Sequence, residues 1–483
     1  MGIKLDWQVE SENSQTLATE DLEGRKRRHR ARARLLVLVL LVVCLFGAVV
    51  GSIVWRWHEV EDQFKQDLLD TVEVERTALR IGDYDSFLAV QRTISDPFKI
   101  EQGNRYTEYQ NLKRQNRIDL TRPILDSAIR ERTGRVVLEE VKDGIAYQTV
   151  WFYWYYEDGD PEAERGWRRV PDDLEFWGDS NDLERGSIRI TYRDLDEGLA
   201  KTLAPRLNDW WTNGCVLLQC TTALPTLHLE IVAARPMSVE WSTNSPATLR
   251  MTSPLLASII SPDDERARVD NSIPPAYARL LSDQLAQRIV RHATNNLAPI
   301  TNADAAWFQL ELARWLAAVY QNGPSVPDTG FTGALVAQYG PTIPAILAHT
   351  LLPDTTLDQI MIAATGLDLA ALSPDQLNTY PWQGYFQWRL DLESRLLRQA
   401  NGGGLFLALY DLETPGVSDI AQQRASDPAY STRPVPQVTA VTITRDANGQ
   451  TFALVDTTRT DGSQTISELV QFRLSGGTWK RLT

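Results

Sequence analysis

Cysteine and histidine are both scarce in this 483-residue chain, three of the former and five of the latter. Three cysteines cannot staple a fold of this length, and they exclude a multi-cysteine zinc module. Positive charge is also short: 49 Lys and Arg stand against 63 Asp and Glu, a net −14. That balance is the wrong sign for a nucleic-acid footprint, and no nucleic-acid partner is expected. No G-x-S-x-G elbow, P-loop or G-x-G-x-x-G is present. Asn401–Gly404 (NGGG) lacks a following Lys and reads as a hinge. Beyond the N-terminal tail the histidines are His58, His228, His292 and His349, and none is paired at H-x-x-x-H or H-x-H spacing. Carboxylates abound, yet no spacing nominates a glycosidase pair. No cofactor is expected.

What is present is a globular composition, 43% apolar and 23% charged, in a chain long enough for about three domains. Residues 1–34 carry eight basic and six acidic groups, seven of the bases between Arg25 and Arg34, which leaves −16 on the remainder. The next 21 residues, Leu35 to Trp55, are uncharged. As a helix that run spans about 30 Å, the hydrocarbon thickness of a bilayer. It predicts a transmembrane helix over 35–55 as the membrane contact, with the basic tail 1–34 cytoplasmic and everything from about residue 58 extracytoplasmic. A cleavable signal peptide fits less well, because the apolar run is longer and lacks a clear A-x-A. Cys44 falls inside the span. Cys215 and Cys220 are then alone in a disulfide-permitting compartment, and a disulfide between them is the favoured reading. Two free thiols or a metal pair stay open; a metal would need further ligands, and only His228 is near in sequence.

Residues 58–130 keep apolar residues three or four apart and read as mostly helical, punctuated by Gly82-Asp83. From Val136 the period changes. VVLEEV, a turn at Lys142–Gly144 and AYQTVWFYWYYE form a predicted hairpin, followed by a short strand over Gly166–Val170. Helices followed by an antiparallel sheet predict an α+β domain over 58–180. The order returns at the C-terminus over 405–483, with VTAVTITRD, TFALVDTTR and ISELVQFRL separated by N-G and D-G turns, and helices from 396–430. Both segments resemble nuclear-transport-factor-2-like (cystatin-like) cones, in which helices pack on a curved antiparallel sheet. In such a cone, alternate residues of Trp151–Tyr156 line the interior or simply fill the core. Between the two, 185–398 reads as a strand over Ile188–Tyr192, a helix from Glu197, a strand at Leu227–Ala233, a possible edge strand at Thr248–Met251, and then helices over 275–294, 303–321, 331–351, 355–365 and 373–400.

This middle unit resembles the gluzincin (peptidase MA-like) metallopeptidases. In that framework an edge strand precedes a helix bearing H-E-x-x-H, and a later helix begins W-L-x-E-G-x-A. Two His one turn apart grip Zn²⁺, the adjacent Glu is the base, and the later Glu completes the site. Pro274-Pro275-AYARLLSDQLAQ aligns with the first helix and Trp307-FQLELA with the second. The ligand positions become Asp283, Gln287 and Leu310, the base position becomes Gln284, and Glu311 is one place out of phase. Gln binds Zn²⁺ poorly and cannot serve as a base. On a helical wheel Asp283 and Gln287 lie opposite the stripe Ala278, Leu281, Leu285, Ile289 and His292.

The expected fold class is therefore α+β multidomain: one N-terminal transmembrane helix, an α+β cone, a mainly helical peptidase-like domain and a second α+β cone. The expected function is a membrane-anchored, extracytoplasmic, non-catalytic binding or scaffold protein of a bacterial cell envelope, a pseudo-peptidase with a protein or peptide partner. An envelope hydrolase with a divergent metal or carboxylate site, which needs Asp283 or Glu311 in a concave pocket, and small-ligand sensing by the cones are the alternatives.

Overall fold

A computed structural model describes residues 59–483 apart from 93–95, 143, 160–163, 174, 235–236, 261–272, 296–302, 324–329, 400–401 and 462–463; before residue 59 it describes Gly47, Gly51, Trp55 and Arg56. The expected transmembrane helix Leu35–Trp55 lies almost wholly outside the described residues, as do His58 and Asn401.

The first sheet is antiparallel throughout. Helix α1 (residues 59–81) carries Leu68, Val72 and Leu79 on one buried stripe. It is followed by α2 (Tyr84–Ala89), capped by the Asp83 side chain on the Ser86 N–H, and by α3 (Asp96–Arg114). Strands β1 (Ile118–Asp119) and β2 (Ile124–Arg130) pair with successive parts of β3 (Thr133–Lys142). β3 forms a hairpin with β4 (Ile145–Tyr156), and β4 pairs with β5 (Gly166–Val170) on its other side. Strand alternation gives this sheet two faces. Val136, Leu138, Trp151, Tyr153 and Trp167 pack on the helices, while Val137, Val150, Phe152 and Val170 pack on Phe176, Trp177 and Leu256.

The second sheet runs β6 (Ser180–Arg185), β7 (Ile188–Arg193), β8 (Leu227–Val232), β10 (Thr248–Thr252), β9 (Val239–Trp241). β7 and β8 are parallel, joined by α4 (Glu197–Leu218), because parallel neighbours need a crossover. β8 and β10 are parallel, and β9 is the antiparallel edge. The chain then returns to the first sheet as β11 (Ala257–Ile260), antiparallel to β4. The following helices are α5 (Pro275–Ala293), α6 (Ala303–Asn322), α7 (Gly330–Tyr339), α8 (Ile343–Thr350), α9 (Leu357–Thr365), α10 (Pro374–Leu377) and α11 (Trp382–Arg398). Short helices α12 (Gly403–Leu407), α13 (Val417–Ser426) and α14 (Pro428–Thr432) lead to the meander β12 (Gln437–Arg445), β13 (Thr451–Asp461), β14 (Gln464–Ser475), β15 (Thr478–Arg481).

The expected fold class needs correcting. Among the described residues the chain is α+β with three sheets, and no helix is long and apolar enough to cross a membrane. The helix next to the apolar run, residues 59–81, bears Glu59, Glu61, Asp62 and Lys65 within its first turns, charges that a bilayer would exclude. The middle is mainly helical, as expected, with α4 to α11 beside a five-stranded sheet. The third sheet shares its core with the helices before it: Ile443, Val455, Phe472 and Trp479 belong to one continuous core with α4 to α11. Side chains bolt it there. Asn378 donates to the Ile443 carbonyl at 3.0 Å and accepts its N–H at 2.8 Å, and the Gln387 amide oxygen accepts the Val438 N–H at 2.8 Å. The expected edge strand over Thr248–Met251 is internal, and the edge is the three-residue β9.

Candidate functional site

Helix α5 starts on Pro275, whose missing N–H falls where a helix has no acceptor to offer. Tyr277, Leu281, Leu285 and Ile289 are buried, and Asp283, Gln284 and Gln287 are half-buried. The three polar residues are thus partly covered by neighbouring elements and do not form a fully solvated back face. Burial raises the Asp283 carboxyl above the ordinary carboxylate value, with the Arg279 charge one turn earlier opposing it. Ser282 Oγ accepts from the Gln321 amide at 2.7 Å and donates to the Arg279 carbonyl at 2.8 Å, tying α5 to α6.

Edge strand β9 packs against this helix. The Arg288 guanidinium lies 5.3 Å from the Trp241 ring, and Trp241 in turn lies 6.5 Å from Trp211 of α4. Ser242 N–H donates to the Thr248 carbonyl and Thr252 N–H to the Ser238 carbonyl. By antiparallel alternation the Glu240 N–H then faces β10, while those of Val239 and Trp241 point to the open edge. Among the described strands β9 pairs with β10 alone.

On α6, Leu310 is 38% exposed and Glu311 only 4%. Glu311 accepts the Phe331 N–H at 3.1 Å and pairs with Arg314 at 2.6 Å. Its place is at the N-terminus of α7, where a carboxylate satisfies unpaired amides and faces the positive helix pole. Gly330 is the necessary companion, with φ at +81° and a Cβ position 2.6 Å from Glu311 Oε2. The structure does not gather Asp283, Gln284, Gln287, Leu310 and Glu311 into a metal centre. Among the described residues, the one group of His, Cys, Asp and Glu ligand atoms all within 4.8 Å of one another is Cys215, Cys220 and His292. The two sulfurs are bonded. His228 is elsewhere, on β8, with Nε2 2.8 Å from Thr191 Oγ1.

Sequence reasoning missed the interior of the first α+β unit. Tyr153 donates to Glu75 at 2.7 Å, and Arg169 Nη1 faces the same carboxylate at 3.5 Å. Nearby, Tyr109 donates to Glu140 at 2.7 Å, and Arg105 lies 3.8 Å from that carboxylate. Both guanidiniums approach Trp151, Arg169 at 4.3 Å and Arg105 at 5.0 Å from its ring. Burial pushes the Tyr153 and Tyr109 hydroxyls up, and the Glu75 and Glu140 charges push them further. The sequence signal was phase: Glu75 continues the stripe Leu68, Val72, Leu79, while Glu140 follows Val136 and Leu138, and Arg169 follows Trp167, at strand period two.

Three cavities lie elsewhere. One of about 370 Å³ is lined by Arg424, Arg433, Arg459 and Arg481 with Glu393 and Tyr430. Another of about 320 Å³ lies beside Trp388, Arg389 and Lys480, and a third of about 280 Å³ opens on β7 and β8. Neither Asp283 nor Glu311, nor any of Trp151–Tyr156, lines these three. No known protein family, curated protein or solved structure matches this chain.

Proposed function

We propose that this is a non-catalytic binding protein that adds an extended peptide segment of a protein partner to the open edge of β9, beside α5. One observation carries the reading: the open edge of β9 stands beside a helix whose Asp283, Gln284 and Gln287 can hydrogen-bond a chain but include no histidine ligand and no base at position 284. The outward N–H groups of Val239 and Trp241 offer the main-chain bonds that strand addition uses. The resemblance to a gluzincin framework belongs to the same reading, supported by the mixed sheet whose antiparallel edge strand packs on α5. Of the two carboxylates a hydrolase could use, Glu311 is occupied at the N-terminus of α7, and Asp283 lines none of the three cavities. The bonded Cys215 and Cys220 favour an oxidising compartment outside the cytoplasm.

The test uses the full chain, a panel of unstructured peptides labelled for fluorescence polarisation, and elemental analysis. The reading expects saturable peptide binding without cleavage. Val239→Pro removes one outward N–H and leaves the Glu240 ladder bonds to β10, and should weaken binding roughly tenfold. The melting temperature serves as the fold control. Peptide turnover by the purified protein, or binding indifferent to Val239→Pro in a folded variant, would sink the proposal.

A further inference from the structure

Helices α4, α5 and α8 end at the same place. Cys215 is in the last turn of α4, His292 in the last turn of α5 and His349 in the last turn of α8. The chain leaves α4 through Gln219, which adopts a left-handed conformation (φ 50°), and the Cys220 N–H returns to the Cys215 carbonyl at 3.0 Å. His349 Nε2 lies 3.1 Å from the Gln219 carbonyl and holds this short loop against α8. His292 Nε2 lies 3.0 Å from the Thr222 carbonyl and 3.1 Å from its hydroxyl. A carbonyl only accepts, so Nε2 donates to it, and in a neutral ring the lone pair is then on Nδ1. A backbone carbonyl on the far nitrogen is the partner that fixes the tautomer of a ligating imidazole.

Three negative helix poles converging on one loop favour a cation. The donors there are two sulfurs and an imidazole, all within 4.8 Å of one another and all half-buried. Sulfur with imidazole is the donor set that selects Zn²⁺ over hard cations. We propose that Cys215, Cys220 and His292 form a redox-gated site for Zn²⁺, closed while the two sulfurs are bonded to each other and open when they are reduced. An external dithiol opens it by exchange. Two electrons and two protons pass to the Cys215–Cys220 bond, giving two thiols, and the dithiol leaves as its own disulfide. Zn²⁺ then replaces the two thiol protons, which go to solvent, and binds both sulfurs and the His292 ring. The fourth tetrahedral position stays open to water or an added ligand. Opening leaves the fold standing, because a disulfide spanning only five positions constrains the unfolded chain little.

The experiment uses the full chain carrying Cys44→Ser, so that the pair is the sole source of thiol. It compares oxidised protein with protein reduced by a phosphine, which is then removed. Zn²⁺ alone is titrated, bound metal is read by elemental analysis after gel filtration, and Co²⁺ reports sulfur ligation through its thiolate charge-transfer absorption. The reduced protein should bind one Zn²⁺ per chain and the oxidised protein none. His292→Ala should weaken binding by at least roughly tenfold, and Cys220→Ser, which leaves one sulfur, should weaken the Co²⁺ thiolate band. Without any substitution at the site, Zn²⁺ should protect Cys215 and Cys220 from iodoacetamide, read by peptide mass. No bound zinc after reduction, no protection, His292→Ala binding as tightly as its parent, or loss of the melting transition on reduction would each overturn the proposal.

Discussion

Asp196 shows what a single buried carboxyl does to this fold. It is 1% exposed, and it accepts from Ser253 Oγ at 2.6 Å and Trp177 Nε1 at 3.1 Å. Burial outweighs both bonds and pushes its pKa up from 3.8 to about 6. A raised carboxyl pKa means that the folded chain binds the proton more tightly than the unfolded one. Its stabilising share is therefore complete below 3.8, declines as pH rises through the window to about 6, and is level above it. The shift corresponds to roughly 3 kcal/mol. Asp196→Asn should abolish that slope, so the variant gains on the wild type by about this amount across the window; urea midpoints of the two proteins decide it. Parallel midpoints would show that the carboxyl is not held in this way. A second residue-scale expectation concerns Tyr153. Tyr153→Phe leaves Glu75 Oε2 buried without its donor and should lower stability by about 1–3 kcal/mol in a urea titration. Charged residues standing in apolar phase, such as Glu75, Glu140 and Arg169, left a signal in the sequence that the reading missed. Asp196 left none, since nothing at its own position signals that Trp177 and Ser253 close over it.

At the scale of elements, long periodic segments read well up to their ends and interruptions: the helical reading of 58–130 holds only to Arg114, after which β1 and β2 follow. The helix expected over 331–351 is two, α7 and α8, broken at Gly340 and Pro341, where Gly340 takes φ +103°. The one expected over 373–400 breaks before Pro381, because a residue ahead of proline avoids the helical region. β9 is three residues long and β11 pairs with a strand more than a hundred positions earlier, so neither leaves a local period to detect. The aligned helix pair did point to α5 and α6, but the sequence could not say that Glu311 turns inward to hold α7. Glu311→Ala strips the Phe331 N–H of its acceptor and should cost about 1–3 kcal/mol. Gly330→Ala should cost a similar amount, since alanine at φ +81° is strained and its Cβ meets Glu311 Oε2. Hydrogen exchange should show both losses concentrated in the α7 amides. Unchanged α7 protection in Glu311→Ala would return Glu311 to the list of groups free for chemistry.

For the molecule as a whole, the repeated strand-and-turn pattern suggested two like units flanking a different middle, and pattern alone cannot say which surface a sheet buries. The buried face of β12–β15 meets α11: Phe472 lies 4.7 Å from Phe386, and Trp479 lies 5.9 Å from Trp382 and 5.7 Å from Phe386, ring to ring. Trp382 and Phe386 continue into Tyr385 and Trp307 at the heart of the helices. The Asp358 N–H also donates to the Gly477 carbonyl at 2.9 Å, so β14 and β15 fix the start of α9. A core shared in this way makes the C-terminal sheet and the helices one cooperative body. Trp479→Ala, at a site with 0% exposure, should therefore cost about 3–5 kcal/mol. The loss should appear equally in amides of α9, α11 and β12–β15, while those of β3 and β4 in the first sheet keep their protection. If residues 405–483 were an independent unit, exchange would accelerate in the strands alone and α11 would stay protected. Native-state hydrogen exchange on the full chain separates these outcomes, because one shared opening lowers every amide of the joint core by the same free energy, whereas two separate openings do not.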